Sequence, residues 1–138
     1  MGWLGYAVVS AVAAAMTAIL AKIGIEGVPS NLATAVRTVV ITAFAWAIVA
    51  FTGERHALSN ISRRSLVFLV LSGVATGISW LAYFRALQLA PASRVSPIDK
   101  LSLPLTVALA AILLGESVSW RLGLGVALMT IGAILTIG

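Results

Sequence analysis

Stretches of close to 20 predominantly apolar residues recur along this chain, and no other feature of it restricts the possible folds so tightly. A helix needs about 20 such residues to cross roughly 30 Å of hydrocarbon. Met1 to Ala21 carries no charge at all, and further stretches reach or approach the same length. With 61% hydrophobic and 9% charged residues and a mean hydropathy of +1.11, too little polar surface is left to cover a soluble globule. The 138 residues leave room for five or at most six crossings and for no separate soluble domain. The expected fold is an all-α membrane protein, a bundle of about five transmembrane helices in one domain.

The expected helices run over about 3–21, 32–51, 66–84, 95–114 and 118–138. Lys22 closes the first, and Gly24, Gly27, Pro29, Ser30 and Asn31 supply turn chemistry after it. The second contains Arg37. The most polar stretch, Gly53 to Ser65, reads as an interfacial loop with Glu54, Arg55, His56, Arg63 and Arg64. Pro91 lies in the connection after the third. The fourth is irregular, with Pro97, Asp99, Lys100 and Pro104 in its first half. The uncharged N-terminal segment has no basic region before its apolar run, so it is expected to stay in the mature protein as a membrane span.

The formal charge of +5 does not point to nucleic acid, because the nine Lys and Arg are scattered between apolar runs, singly except for Arg63 and Arg64, and form no stripe. Such residues snorkel to headgroups and set topology. There is no cysteine, and the lone His56 makes no metal site by itself. No glycine-rich nucleotide motif and no nucleophile–base triad is present. Neither an enzyme, nor a cofactor, nor a metal centre is expected.

With an odd number of crossings the termini face opposite sides. The N-terminal side then holds Arg55, Arg63, Arg64 and Arg121, and the other side holds Lys22, Arg85 and Arg94, with Arg37 and Lys100 just inside it. Positive-inside sorting needs an excess, and this count is close to even. A chain so balanced can insert both ways, as an antiparallel homodimer requires; the alternative is that Arg63 and Arg64 simply anchor their side in the cytoplasm. Gly73 and Gly77 form GxxxG, and Gly123 with Ala127 and Ala43 with Ala47 repeat the small-residue spacing of close helix packing in lipid.

Charges inside a span cost a few kcal/mol or more unless paired or hydrated, which singles out Arg37, Asp99 and Lys100. Each lies about five residues into its helix from the same side, or roughly 7 Å at 1.5 Å per residue. They therefore either form a polar vestibule for a ligand, or an Arg37–Asp99 pair locks two helices while Lys100 snorkels outward. Pro104 has no N–H, so the carbonyl of Lys100 loses its helical donor beside the charged dipeptide, the kind of broken helix that presents backbone groups to a substrate. Pro97 is expected to open the helix at its first turn. Thr34, Thr38 and Thr42, then Ser72, Thr76, Ser79 and Tyr83, then Asp99, Ser102 and Thr106 form polar stripes that either line a path or bond neighbouring helices. Trp80, Tyr83 and Phe84 read as an aromatic wall for a ligand or as part of an interfacial belt, to which Trp3, Tyr6 and Trp120 also belong. Glu116 sits in the turn before the last helix.

The segment Ala92-Ser93-Arg94-Val95-Ser96-Pro97-Ile98-Asp99-Lys100-Leu101-Ser102, then Leu114-Gly115-Glu116, then a final helix with Gly123, Gly125 and Gly132, resembles the EamA-type domain of the drug/metabolite transporter superfamily. Tyr83-Phe84-Arg85-Ala86-Leu87 fits the same pattern. The resemblance covers the whole chain in helix count, and its specific motifs lie in Leu81 to Gly132. Most members have ten helices in two such halves, inverted relative to each other, so this chain looks like one half. In size it is also similar to the small multidrug resistance proteins, but the acidic residue those carry in their first helix is absent from Met1 to Ala21.

The expected function is a secondary transporter of a small metabolite or amphipathic compound, working by alternating access as an antiparallel homodimer among the lipids of a prokaryotic plasma (inner) membrane. Arg37, Thr38, Trp80, Tyr83, Asp99, Lys100 and Ser102 are the expected substrate-binding residues, and Pro97 and Pro104 the expected gating or helix-breaking residues. Arg37 and Lys100 would meet an anionic group and Asp99 would pair or titrate. Two other readings stand beside it: a component of a lipid-linked sugar or phospholipid flippase, and a non-transporting membrane subunit.

Overall fold

The computed structural model of the chain describes residues 2–137; the helix end expected at Gly138 lies outside the described residues. They form helices and turns without a strand. Three helices are uninterrupted: α1 (Trp3–Gly24), α2 (Ser30–Thr52) and α3 (Arg63–Leu89), of 22, 23 and 27 residues. At roughly 1.5 Å per residue each exceeds the hydrocarbon thickness. Between α2 and α3 lies a 3-10 helix, Glu54–Asn60. The fourth span, Ala92–Leu114, has the length and composition of a crossing, yet it is divided into α4 (Ala92–Asp99), α5 (Ser102–Leu109) and a π-helical segment, Ala110–Leu114. The last helix is α6 (Trp120–Leu135).

Several boundaries differ from the sequence expectation for identifiable reasons. α3 begins early because Ser62 caps it: its Oγ accepts from the Ser65 N–H at 3.0 Å, and its carbonyl accepts from Leu66 at 2.9 Å. At the other end α3 continues past Phe84 until Pro91 rules out further helix. α6 is shorter than 118–138, with 16 residues, about 24 Å. Ser119 accepts from the Leu122 N–H at 3.2 Å and fixes the start, while Thr136 closes the end by donating its hydroxyl to the Ala133 carbonyl at 2.7 Å. Pro97 does not open a helix; α4 starts at Ala92, behind Pro91, and Pro97 lies in its interior.

The chain divides into two compact units, one of Ala21–Gln88 and one of the residues up to Leu20 and from Leu89 onward. In the first, Ile25, Phe84 and Leu87 are buried together with the polar Ser30 and Thr34. The α2 C-terminus is turned by Gly53 at φ 73°, whose N–H bonds the Val49 carbonyl, and the 3-10 helix folds back against α2. In the second unit α6 packs against α4 and α5, and Ala18 and Ala133 are buried. Large apolar side chains point outward along every long helix, Phe51 at 92% and Trp3 at 82% exposure among them. In water such a surface would aggregate; in lipid it is the solvated face.

The small-residue positions do not mark close helix approach among the described residues, since a Cβ at Gly73, Gly77, Gly123 or Gly132 would meet nothing within 4 Å. Four threonines of the hydroxyl stripes bond within their own helices. Thr34, Thr38, Thr76 and Thr106 donate to the carbonyls four residues earlier, Ser30, Thr34, Ser72 and Ser102, at 2.8 to 2.9 Å.

Gly53→Ala isolates the backbone contribution, because its Cβ also has nothing within 4 Å while φ stays left-handed. It should lower stability by about 1–2 kcal/mol, read from unfolding in detergent, whereas Gly73→Ala in the middle of α3 should be neutral or stabilising.

Candidate functional site

The guanidinium of Arg37 lies flat against an aromatic face. Its central carbon is 3.9 Å from the centroid of the Trp80 ring and 5.4 Å from that of Phe84. The i, i+4 spacing of Trp80 and Phe84 puts both rings on one side of α3, and Tyr83 meets Phe84 edge-on with centroids 6.5 Å apart. Phe84 is buried and Trp80 and Tyr83 half-buried. The faces of Trp80 and Phe84 are thus turned to the chain's own Arg37.

Magnitudes explain why the stack matters. Placing an arginine at the centre of a span costs roughly 2.5–3.5 kcal/mol on insertion scales, and less at the depth of Arg37, the eighth residue of α2. A desolvated cation–π contact returns about 2 kcal/mol. The rings therefore offset much of the charge's cost while leaving the edge of the guanidinium, which carries its N–H donors, able to meet an anion. Among the described residues no carboxylate bonds Arg37.

Asp99 and Lys100, neighbours in sequence at the end of α4, form an ion pair of 3.2 Å. Asp99 is half-buried and Lys100 exposed. Arg37 belongs to the unit Ala21–Gln88 and Asp99 to the other, so each charge has a partner within its own unit. The chain bends at this dipeptide. The Lys100 N–H is shared between the carbonyls of Ser96 at 3.3 Å and Pro97 at 3.1 Å. Pro104 cannot donate to the Lys100 carbonyl, and the Leu103 N–H does so instead at 2.9 Å. The carbonyl expected to be free is thus satisfied by a tighter 3-10 turn. Ser102 opens α5 and its carbonyl accepts from Thr106. Thr38 is exposed beside Arg37 on α2 with its hydroxyl donated to Thr34.

Two polar residues escaped the sequence reading. Lys22 donates to the Leu87 carbonyl, and the Gln88 side-chain N–H donates to the Val28 carbonyl at 2.8 Å while its oxygen accepts from Arg85 at 3.0 Å. They tie the end of α1 and the following turn to the end of α3, next to the buried Phe84 and Leu87. A lone amide in an apolar run was the available signal for Gln88; Lys22 looked like an ordinary helix-end cation. No group of three or more potential metal-ligating side chains occurs among the described residues.

Long apolar helices, a divided fourth span and a stacked intramembrane arginine define a polytopic integral membrane protein of the all-α class. The sequence profile of the EamA-like transporter family matches residues 1–138, and the chain belongs to that family, a membrane transporter by descent. A Sinorhizobium sp. protein named "Uncharacterized transporter in cobO 3'region" is 48% identical over 133 residues, covering 96% of this chain and 94% of that protein. No solved structure matches.

A double-mutant cycle of Arg37→Gln and Trp80→Leu should show a coupling of about 1–2 kcal/mol in detergent unfolding. Trp80→Phe, which keeps an aromatic face, should keep a part of it. A coupling near zero would mean that the stack contributes nothing to the folded state.

Proposed function

We propose that the chain is a secondary transporter that moves a small metabolite or amphipathic compound by alternating access, as an antiparallel homodimer in the plasma (inner) membrane of a prokaryote. The observation that carries this reading is Arg37 held on Trp80, its donors directed to no carboxylate among the described residues, in a helix of membrane-spanning length. Such a residue is costly to keep for stability alone. Arg37 and Lys100 contact an anionic group of the substrate, Asp99 releases Lys100 or takes up a proton in exchange, Trp80 and Tyr83 shape the pocket, and Thr38 and Ser102 add hydroxyls to its wall.

The fourth span supports a moving part. α5 is a regular eight-residue helix with a turn at Lys100–Leu101 before it and a π segment after it, where the Gly115 N–H reaches back to the Ala110 carbonyl. Irregular turns of this sort are cheaper to reshape than α-helix, and π segments recur at functional sites. The near-even distribution of basic residues favours dual insertion, and the Sinorhizobium relative, matched over 94% of its length, also has the size of a single unit.

Uptake by proteoliposomes containing only the purified protein tests the reading against that of a non-transporting subunit. Arg37→Gln and Asp99→Asn should fold and lose transport, and the double variant should not recover it. If the two residues instead formed only a structural ion pair, each single variant would lose roughly 3–5 kcal/mol of stability and the double variant far less. Pro104→Ala restores a donor for the Lys100 carbonyl; it should raise stability or leave it unchanged while slowing transport several-fold. Normal transport by this variant would remove the role of the bend.

A further inference from the structure

On the opposite end of α2 from Arg37, the 3-10 helix Glu54–Asn60 leaves a cleft of about 320 Å³ against the last turns of α2, lined by Ala45, Trp46, Val49, Glu54, Ala57, Leu58 and Ile61. Its volume lies at the lower edge of the range of ligand sites. Six of the seven lining residues are apolar, so water, which needs several polar partners, is a poor occupant. Trp46 and Val49 lie six and three residues before the α2 end at Thr52, about 9 and 5 Å along the helix, which puts the cleft walls at the depth of acyl chains. The surrounding medium itself therefore supplies the matching ligand.

The charge at the mouth selects among lipids. Arg55 follows Glu54, and Arg63 and Arg64 begin α3 two residues beyond Ile61; all three are exposed. Three guanidinium groups on the segments that border the cleft, against the single carboxylate of Glu54, give this part of the chain a net positive charge. This opposes an organic cation, which Trp46 and Glu54 alone would suit, and favours a phosphate diester with no compensating positive group. Glu54 is then placed to accept from a headgroup hydroxyl. We infer that this cleft binds an anionic phospholipid, with an acyl chain between α2 and the 3-10 helix and the phosphate on Arg55, Arg63 and Arg64.

Native mass spectrometry of the detergent-solubilised protein, given equal amounts of phosphatidylglycerol and phosphatidylcholine with the same acyl chains, reads both retained lipid and oligomeric state. The wild type should retain phosphatidylglycerol in preference by roughly tenfold. Arg63→Gln with Arg64→Gln should abolish the preference while an acyl chain is still retained. Ala57→Phe, which fills the cleft from the 3-10 helix, and Ala45→Leu, which narrows it from within the regular α2, should each lose both lipids, whereas Val70→Phe on an exposed part of α3 should not. Equal retention of the two lipids by the wild type, or unchanged retention in both filled variants, overturns the proposal. So does a loss of dimer in the filled variants with lipid binding intact, which would make the cleft an interface between two copies.

Discussion

Everything in this structure depends on the absence of water from the hydrocarbon, which obliges every backbone N–H and C=O there to find a partner within the chain. α1, α2 and α3 meet that demand by being long and unbroken. The fourth span cannot, because Pro97 and Pro104 remove two donors from one crossing. The repair is local: the Lys100 N–H is shared by two carbonyls, Leu103 serves the Lys100 carbonyl, and Gly115 at φ 69° closes the π segment onto Ala110. These groups are thus bonded while the backbone around them stays irregular.

A second constraint, the desolvation of charge, explains the placement of the polar residues. Asp99 and Lys100 sit where the helix is already interrupted and neutralise each other. Arg37 has no such neighbour among the described residues, and its position is tolerated through the faces of Trp80 and Phe84. These rings are held in turn by the end of α3, where Leu87 and Phe84 are buried and where Lys22 and Gln88 bond across to the turn after α1. A mutation at Gln88 would therefore reach Arg37 through the position of α3 without touching it.

Hydropathy made the all-α membrane bundle legible, because a run of 20 apolar residues has few other uses. Helix ends were less legible: Ser62 and Ser119 are strong caps, but a single serine before an apolar run looks like many that cap nothing. Depth also carried information. Counting residues from the loops put Arg37, Asp99 and Lys100 at one level but did not reveal that Arg37 meets Trp80. What counting lacks is azimuth. Whether a residue faces a ring, a carboxylate or lipid depends on helix rotation, and the threonine stripes carry no such information, since i, i+4 spacing fits bonding to a helix's own carbonyls as well as it fits a path.

The thinness of the core bears on how such a chain can work. A substrate path through a membrane needs walls that exclude lipid on all sides, and walls are made of buried residues. Within the unit Ala21–Gln88 the buried positions lie at one end, Ile25, Ser30, Thr34, Phe84 and Leu87, while the middles of α2 and α3 present Phe44, Val70 and Val74 outward and the Gly73–Gly77 face lies open. In lipid, exposed apolar area gives no drive toward association; open small-residue faces do, since they let a second backbone approach closely. Pairing of two copies through such faces would cover the open middles of α2 and α3 and leave Arg37, near the packed end, at the edge of the enclosed space. Under that arrangement Gly73→Ile would disrupt pairing and transport together without loosening the Arg37 stack.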